Sequence, residues 1–96
     1  MKIELITTKQ FIEQAECYFN NYMLGLLRNR PEDFYYALNN KHNMNDIMEN
    51  VIKNTRYHFY DETDEGRMNR VSGEVSYSKV KQHLRRLWIV YKCVYR

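Results

Sequence analysis

The chain has 96 residues and a formal net charge of +3 at pH 7. Hydrophobic residues make up 44% of it, which argues against disorder, and three glycines with one proline are too few for a turn-rich β-sandwich. This length corresponds to one compact domain, so we assign residues 1–96 to a single domain. A domain of this size buries only about 60 to 65% of the unfolded chain's surface, and a homo-oligomer is therefore compatible with it.

The first predicted element is a helix over residues 8–29, because its apolar residues recur every three to four positions on one helical face. Thr8 is the predicted N-cap. Pro31 ends the helix, since a proline disfavours helical backbone in the residue before it. The apolar positions are Phe11, Ile12, Ala15, Tyr18, Phe19, Tyr22, Met23, Leu26 and Leu27.

Two further helices are predicted at residues 31–40 and 44–58. Pro31 suits the first turn of the earlier one, and acidic residues follow it where they complement the positive end of the helix dipole. A polar break at 39–43 separates the two helices, with Asn43 as the predicted cap of the later one. Residues 56–60 also fit a short strand, because polar and aromatic positions alternate there.

The last predicted helix covers residues 77–95, with Ser76 or Ser78 as its cap. An irregular or hairpin-like connection is predicted over 61–76, where an acidic segment and Gly73 interrupt the pattern. The alternative is an α+β fold with strands near 2–7, 56–60 and 87–95, since Trp, Ile, Val and Tyr favour strands. The helical period is preferred, and the predicted fold class is mainly α, a small domain of about four helices.

Targeting and redox signals point to an intracellular, cytoplasmic chain. The first eight residues are too short and polar for a signal peptide, and no window approaches the ~20 apolar residues of a membrane span, so we expect no membrane partner. Cys17 and Cys93 lack the close spacing of zinc sites or redox dithiols. We interpret them as reduced thiols in the core or in a groove.

The distribution of charge is the most informative feature of the sequence. Residues 1–60 are neutral, residues 61–66 carry four acidic side chains, and residues 67–96 carry eight basic side chains against one acidic. Clustered cations attract phosphate backbones or acidic protein surfaces, so the predicted partner is nucleic acid or an acidic protein. The candidate binding residues are Lys79, Lys81, Arg85, Arg86, Lys92, Arg67, Arg70 and Tyr77, the tyrosine as a stacking residue.

Signals for catalysis are weak. The histidines at 42, 58 and 83 do not have zinc-site spacing, the glycines are isolated, and no nucleophile lies in a recognisable motif. We therefore predict no catalytic residues, no metal site and no cofactor, and a protein that is not an enzyme.

Two functions follow from these patterns. The first is a small regulatory protein that engages nucleic acid or a nucleoprotein complex through its basic C-terminal helix. The second is a protein-directed inhibitor or adaptor, like small proteins of viruses and mobile elements, that blocks a partner's functional site. Its surface would be rich in tyrosine and arginine, the residue types enriched at binding hot spots.

Overall fold

The computed structural model describes residues 6–59 and 75–95, which form four α-helices in the predicted order. They are α1 (Thr8–Asn29), α2 (Pro31–Asn39), α3 (Lys41–Phe59) and α4 (Tyr77–Val94). The described ranges contain no β-strand, so the mainly α prediction is confirmed. The strand alternative is wrong at 56–59 and 87–94, which are helical. Residues 2–5, 60 and most of the predicted connection, 61–74, lie outside the described residues.

The beginning of α1 differs by one residue from the prediction. Thr7, not Thr8, is the N-cap, and its Oγ1 accepts a hydrogen bond from the backbone N–H of Gln10 at 3.1 Å. Gln10 Oε1 in turn accepts from the Thr7 N–H at 3.0 Å, which completes a capping box. Thr8 Oγ1 accepts instead from the backbone N–H of Ser76 at 3.1 Å, and so ties the start of α1 to the start of α4.

The beginning of α3 also differs from the prediction. The helix starts at Lys41, three residues before the predicted position, and the cap prediction of Asn43 is wrong. Asn40 performs this role, because its Oδ1 accepts from the backbone N–H of Asn43 at 2.8 Å. Asparagines at positions 39, 40 and 43 lie close together in the sequence, and each is a candidate cap. Ser76 does precede α4 as predicted, but its side chain makes no capping bond.

α1 lies at the centre and packs against the other three helices. The largest completely buried apolar side chains are Phe11, Phe19, Met23, Phe34, Met44, Val80 and Leu84. Tyr22, one of the predicted apolar positions of α1, is exposed at the edge of that helix, and Val94 is exposed in the last turn of α4. None of the helices in the described part of the chain is long and apolar enough to span a membrane.

The two cysteines are free, and both are exposed, so neither belongs to the core. Cys93 does lie in a groove of about 570 Å³ between α2 and the C-terminal half of α4. The prediction of a thiol in a groove is therefore correct for Cys93. The prediction of a thiol in the core is wrong for both cysteines, because each lies on the outward side of its helix.

Candidate functional site

The inner face of α4 is held against the rest of the fold by packing and by one hydrogen bond to α2. Val80 and Leu84 are completely buried. One turn further on, the indole Nε1 of Trp88 donates to the backbone carbonyl of Leu38 at 2.9 Å. These contacts fix the rotation of α4 about its axis, and thereby decide which side chains face solvent.

Two polar contacts add to this attachment on the side of α1. The hydroxyl of Tyr91 donates to Asn20 Oδ1 at 2.7 Å, and His83 Nε2 lies 2.9 Å from a carboxylate oxygen of Glu16. Burial raises the pKa of Tyr91 above its ordinary value, with smaller contributions from Tyr95 and Glu16. Tyr91 is therefore a neutral hydrogen-bond donor at physiological pH.

One flank of α4 carries three cations in a row. At 100° per residue, Lys81, Arg85 and Lys92 share this flank. Lys81 forms an ion pair with Glu49 of α3, and the ammonium of Lys92 lies 5.1 Å from the ring centroid of Trp88. Arg85 is exposed, and its guanidinium has no ion-pair partner among the described residues.

Two more cations, Lys79 and Arg86, lie on the outward side of α4. Both side chains are exposed and have no ion-pair partner in ranges 6–59 and 75–95. Together with the three cations of the flank they make up a set that we call the cationic surface. It consists of Lys79, Lys81, Arg85, Arg86 and Lys92. Residues 75–95 contain no acidic side chain, so the helix does not neutralise this charge itself.

The structure adds a cation that the sequence analysis missed. Arg56, in the last turn of α3, lies with its guanidinium carbon 5.8 Å from the ring centroid of Tyr77. This places a positive charge beside the first turn of α4. No local pattern in the sequence signals this cation, because the proximity of Arg56 to Tyr77 depends on the antiparallel packing of α3 on α4.

Tyr77 itself is half-buried at the start of α4. Its ring meets Phe11 edge-on, with centroids 5.5 Å apart, and Arg56 lies over it. Its hydroxyl oxygen is buried and has no hydrogen-bond partner within the described residues. Two neighbours inside the fold thus already engage the ring that was predicted to stack on a base. Arg67 and Arg70, the remaining candidates, lie outside the described residues.

The described residues do not bring together three or more His, Cys, Asp or Glu side chains in a group that could hold a metal ion. Comparison with family models, with curated proteins and with solved structures found no match for the chain. Its function is therefore inferred from its own surface, whose main chemical feature is the basic character of α4.

Proposed function

We propose that this protein acts by binding, and that its cationic surface engages nucleic acid or a nucleoprotein complex through phosphate contacts. The observation that carries this proposal is the state of the five cations on α4. All five reach solvent, while only Lys81 has a carboxylate partner among the described residues. When unpaired cations on a rigid helix contact a nucleic acid, they displace the counterions condensed on its phosphate backbone. The release of these counterions is the main source of nonspecific affinity.

The spacing of the flank also suits a phosphate backbone. Arg85 lies about 6 Å beyond Lys81 along the helix axis, and Lys92 lies about 10.5 Å beyond Arg85. The contact of the Lys92 ammonium with the Trp88 ring restricts the lysine side chain, so part of its conformational entropy is already lost before binding. Contacts of this kind position a protein on nucleic acid without reading sequence, and we therefore propose binding with little sequence preference.

Substitution of single cations tests the proposal. Arg85→Ala should weaken binding to every oligonucleotide sequence and lower the salt slope by about 1, the value for one lost phosphate contact. Lys81→Ala should have a smaller effect, because Glu49 competes for its ammonium. Arg28→Ala is the matched control, since Arg28 is an exposed cation on α1. The affinities are measured by fluorescence anisotropy with labelled DNA and RNA.

The proposal fails if the double variant Arg85→Ala/Arg86→Ala binds oligonucleotides as tightly as the unsubstituted chain. It also fails if Arg28→Ala weakens binding as much as Arg85→Ala does, because binding would then follow net charge alone. Circular dichroism of each variant separates a loss of contacts from a loss of fold.

A second function, a protein-directed inhibitor or adaptor, is favoured by the tyrosines of α2. Tyr35 and Tyr36 are adjacent and both are exposed. Tyr35 also lines the groove that α2 forms with Ile89 and Cys93 of α4. Exposed tyrosines beside an apolar groove are typical anchors of protein interfaces. Under this function, Tyr35→Ala would abolish binding to the partner, and oligonucleotides would not compete.

A further inference from the structure

A groove of about 480 Å³ lies between α1 and α3, away from the cations of α4. Its floor is apolar, because Ile47 and Val51 are buried there. None of the described residues that line it is charged, although 28% of the chain consists of charged residues. We call it the amide groove, because its other lining residues are three asparagines and two tyrosines: Asn21, Asn50, Asn54, Tyr18 and Tyr22.

The amides of this groove have hydrogen-bonding capacity that the fold does not use. The side chains of Asn50 and Asn54 are exposed and make no hydrogen bond within the described residues. Asn21 makes one weak contact, in which its Nδ2 lies 3.7 Å from Cys17 Sγ. An amide side chain offers a donor and an acceptor side by side, which match the hydrogen-bonding edge of a nucleic-acid base. Asn50 and Asn54 lie one turn apart on α3, so both face the same ligand.

The two tyrosines of the groove differ in how far the fold restrains them. The hydroxyl of Tyr18 lies 3.1 Å from Nδ1 of His58, and its ring meets the imidazole edge-on. Tyr22 is 48% exposed, and its ring contacts no aromatic ring or cation in the described part of the chain. The ring of Tyr22 is therefore available for stacking, whereas that of Tyr77 already has two neighbours inside the fold.

Cations lie next to the amide groove, on the side of α3 that faces α4. Asn50 also lines a second hollow of about 340 Å³, which contains Lys53 and Arg56. Neither cation has an ion-pair partner within ranges 6–59 and 75–95. The acidic residue of this hollow, Glu49, is paired with Lys81 of the cationic surface. Cations of α3 thus lie between the flank of α4 and the amide groove.

We propose that the amide groove binds an unpaired base of a single-stranded nucleic acid, with the base stacked on Tyr22 and its edge hydrogen-bonded by Asn50 and Asn54. The inference rests on the proposed function, because cations of α3 and α4 hold the phosphates of the same strand. Sites for single strands combine a basic path for the backbone with aromatic rings for the bases. A base inside a duplex does not enter, because its faces are stacked and its pairing edge is already used.

The separation of charged and uncharged residues supports this assignment. The bases of a nucleic acid are uncharged at pH 7, and its phosphates are anionic. The amide groove offers a base an apolar floor and neutral amides, while the phosphate-binding cations stand beside it. An α-helix is about 10 to 12 Å wide, so a short strand that crosses α3 contacts both regions. Each stacked base contributes about 5- to 150-fold in affinity.

Fluorescence anisotropy of the intact chain with three labelled probes tests the inference. The probes are a single strand of about 12 nucleotides, the same strand in a duplex, and the same strand with abasic sites, which keeps only the phosphates and sugars. The unsubstituted chain should bind the normal single strand at least about fivefold more tightly than the abasic strand.

Tyr22→Ala should weaken binding of the normal single strand by about fivefold or more, and should leave binding of the duplex and of the abasic strand unchanged. Tyr22→Phe keeps the ring and should bind like the unsubstituted chain. Tyr36→Ala is the matched control, since Tyr36 is 58% exposed on α2, and it should bind all three probes normally. Circular dichroism of each variant checks that the helices are intact.

The asparagines have their own test. Asn50→Ala and Asn54→Ala should each weaken binding of the normal single strand about two- to tenfold, the value for one lost hydrogen bond. Neither should change binding of the abasic strand. Asn29→Ala is the matched control, since Asn29 is exposed on α1 and does not line the amide groove.

Equal affinity of the unsubstituted chain for the normal and the abasic strand overturns the inference, as does normal single-strand binding by Tyr22→Ala. A loss in Tyr22→Ala that is equal for single strand and duplex also overturns it. In each of these cases the proposed function stands if Arg85→Ala/Arg86→Ala weakens binding of every probe. If that double variant binds normally while Tyr22→Ala does not, the cationic surface of α4 fails and the groove stands. Absence of binding to all three probes overturns both.

Discussion

The indole N–H of Trp88 donates to the backbone carbonyl of Leu38 at 2.9 Å, and this bond joins α4 to the last turn of α2. Carbonyls in the last turn of a helix lack partners within it, so the bond satisfies a group that would otherwise need water. The same indole ring carries the ammonium of Lys92 on its surface. Trp88 thus fixes the position of α4 and supports one member of the cationic surface.

We predict that Trp88→Phe lowers the free energy of unfolding by about 1 to 3 kcal/mol, because the backbone carbonyl of the buried Leu38 loses its donor. Urea denaturation followed by circular dichroism measures this difference. Tyr36→Phe is the control, since the Tyr36 hydroxyl accepts a hydrogen bond from the Asn40 amide at the surface, and it should change stability by less than about 0.5 kcal/mol. Equal stability of Trp88→Phe and the unsubstituted chain would contradict the role of the bond.

The free energy of unfolding should fall at alkaline pH, because Tyr91 loses its proton there. The folded protein holds the Tyr91 proton more tightly than the unfolded chain, where the pKa is the ordinary 10.0. Its contribution is therefore fully present below pH 10 and is lost as the pH rises through the folded value. Tyr91→Phe should be less stable at neutral pH by about 0.5 to 1.5 kcal/mol, for the lost bond to Asn20.

That deficit of Tyr91→Phe should stay constant from about pH 8 to about pH 10 and should shrink at higher pH, since only the unsubstituted chain has a proton to lose at this position. Thermal denaturation at a series of pH values, followed by circular dichroism, measures it. A deficit that stays constant above about pH 10 would contradict the raised pKa.

A stabilising substitution is predicted at Gly25, inside α1. A Cβ built at this position meets nothing within 4 Å. Glycine in a helix interior costs about 0.5 to 1 kcal/mol relative to alanine, so Gly25→Ala should raise the free energy of unfolding by that amount. Chemical denaturation provides the measurement. A destabilised Gly25→Ala variant would show that this stretch of α1 is covered by another part of the chain or by a second chain.

The capping box at the start of α1 yields a fourth prediction. Thr7→Ala removes the acceptor for the Gln10 N–H and should destabilise the domain by about 0.5 to 2 kcal/mol. Thr7→Ser keeps the hydroxyl and should cost much less, so the pair isolates the capping bond from the change in size. Equal losses in both variants, measured by thermal denaturation, would mean that the methyl group of Thr7 matters and the hydroxyl does not.

The sequence predicted the four helices within three residues at each end, because the 3.6-residue period of the apolar side chains is strong in all of them. It predicted the caps less well. Thr7 and Thr8, like Asn40 and Asn43, are equally good capping residues, and only the geometry of the helix start distinguishes the members of each pair. Local propensity carries no information about that geometry.

The candidate site was predictable only in part. The basic character of α4 is readable from residues 77–95 alone. The contacts that modify this basic character cannot be read from the same residues, because they come from α3. Glu49 of α3 pairs with Lys81, and Arg56 of α3 lies over the ring of Tyr77. Long-range packing decides such contacts. For the same reason, the exposure of Tyr22 could not be derived from its position on the apolar face of α1.

Salt dependence of oligonucleotide binding tests the central claim most directly. The unsubstituted chain is titrated into labelled single- and double-stranded oligonucleotides by fluorescence anisotropy at about 50 to 200 mM salt. If three to five cations of the cationic surface contact phosphates, the affinity for duplex DNA should fall roughly 40- to 500-fold across this range. Binding that does not change with salt, or no binding at about 50 mM salt, would contradict a phosphate-contacting role for α4.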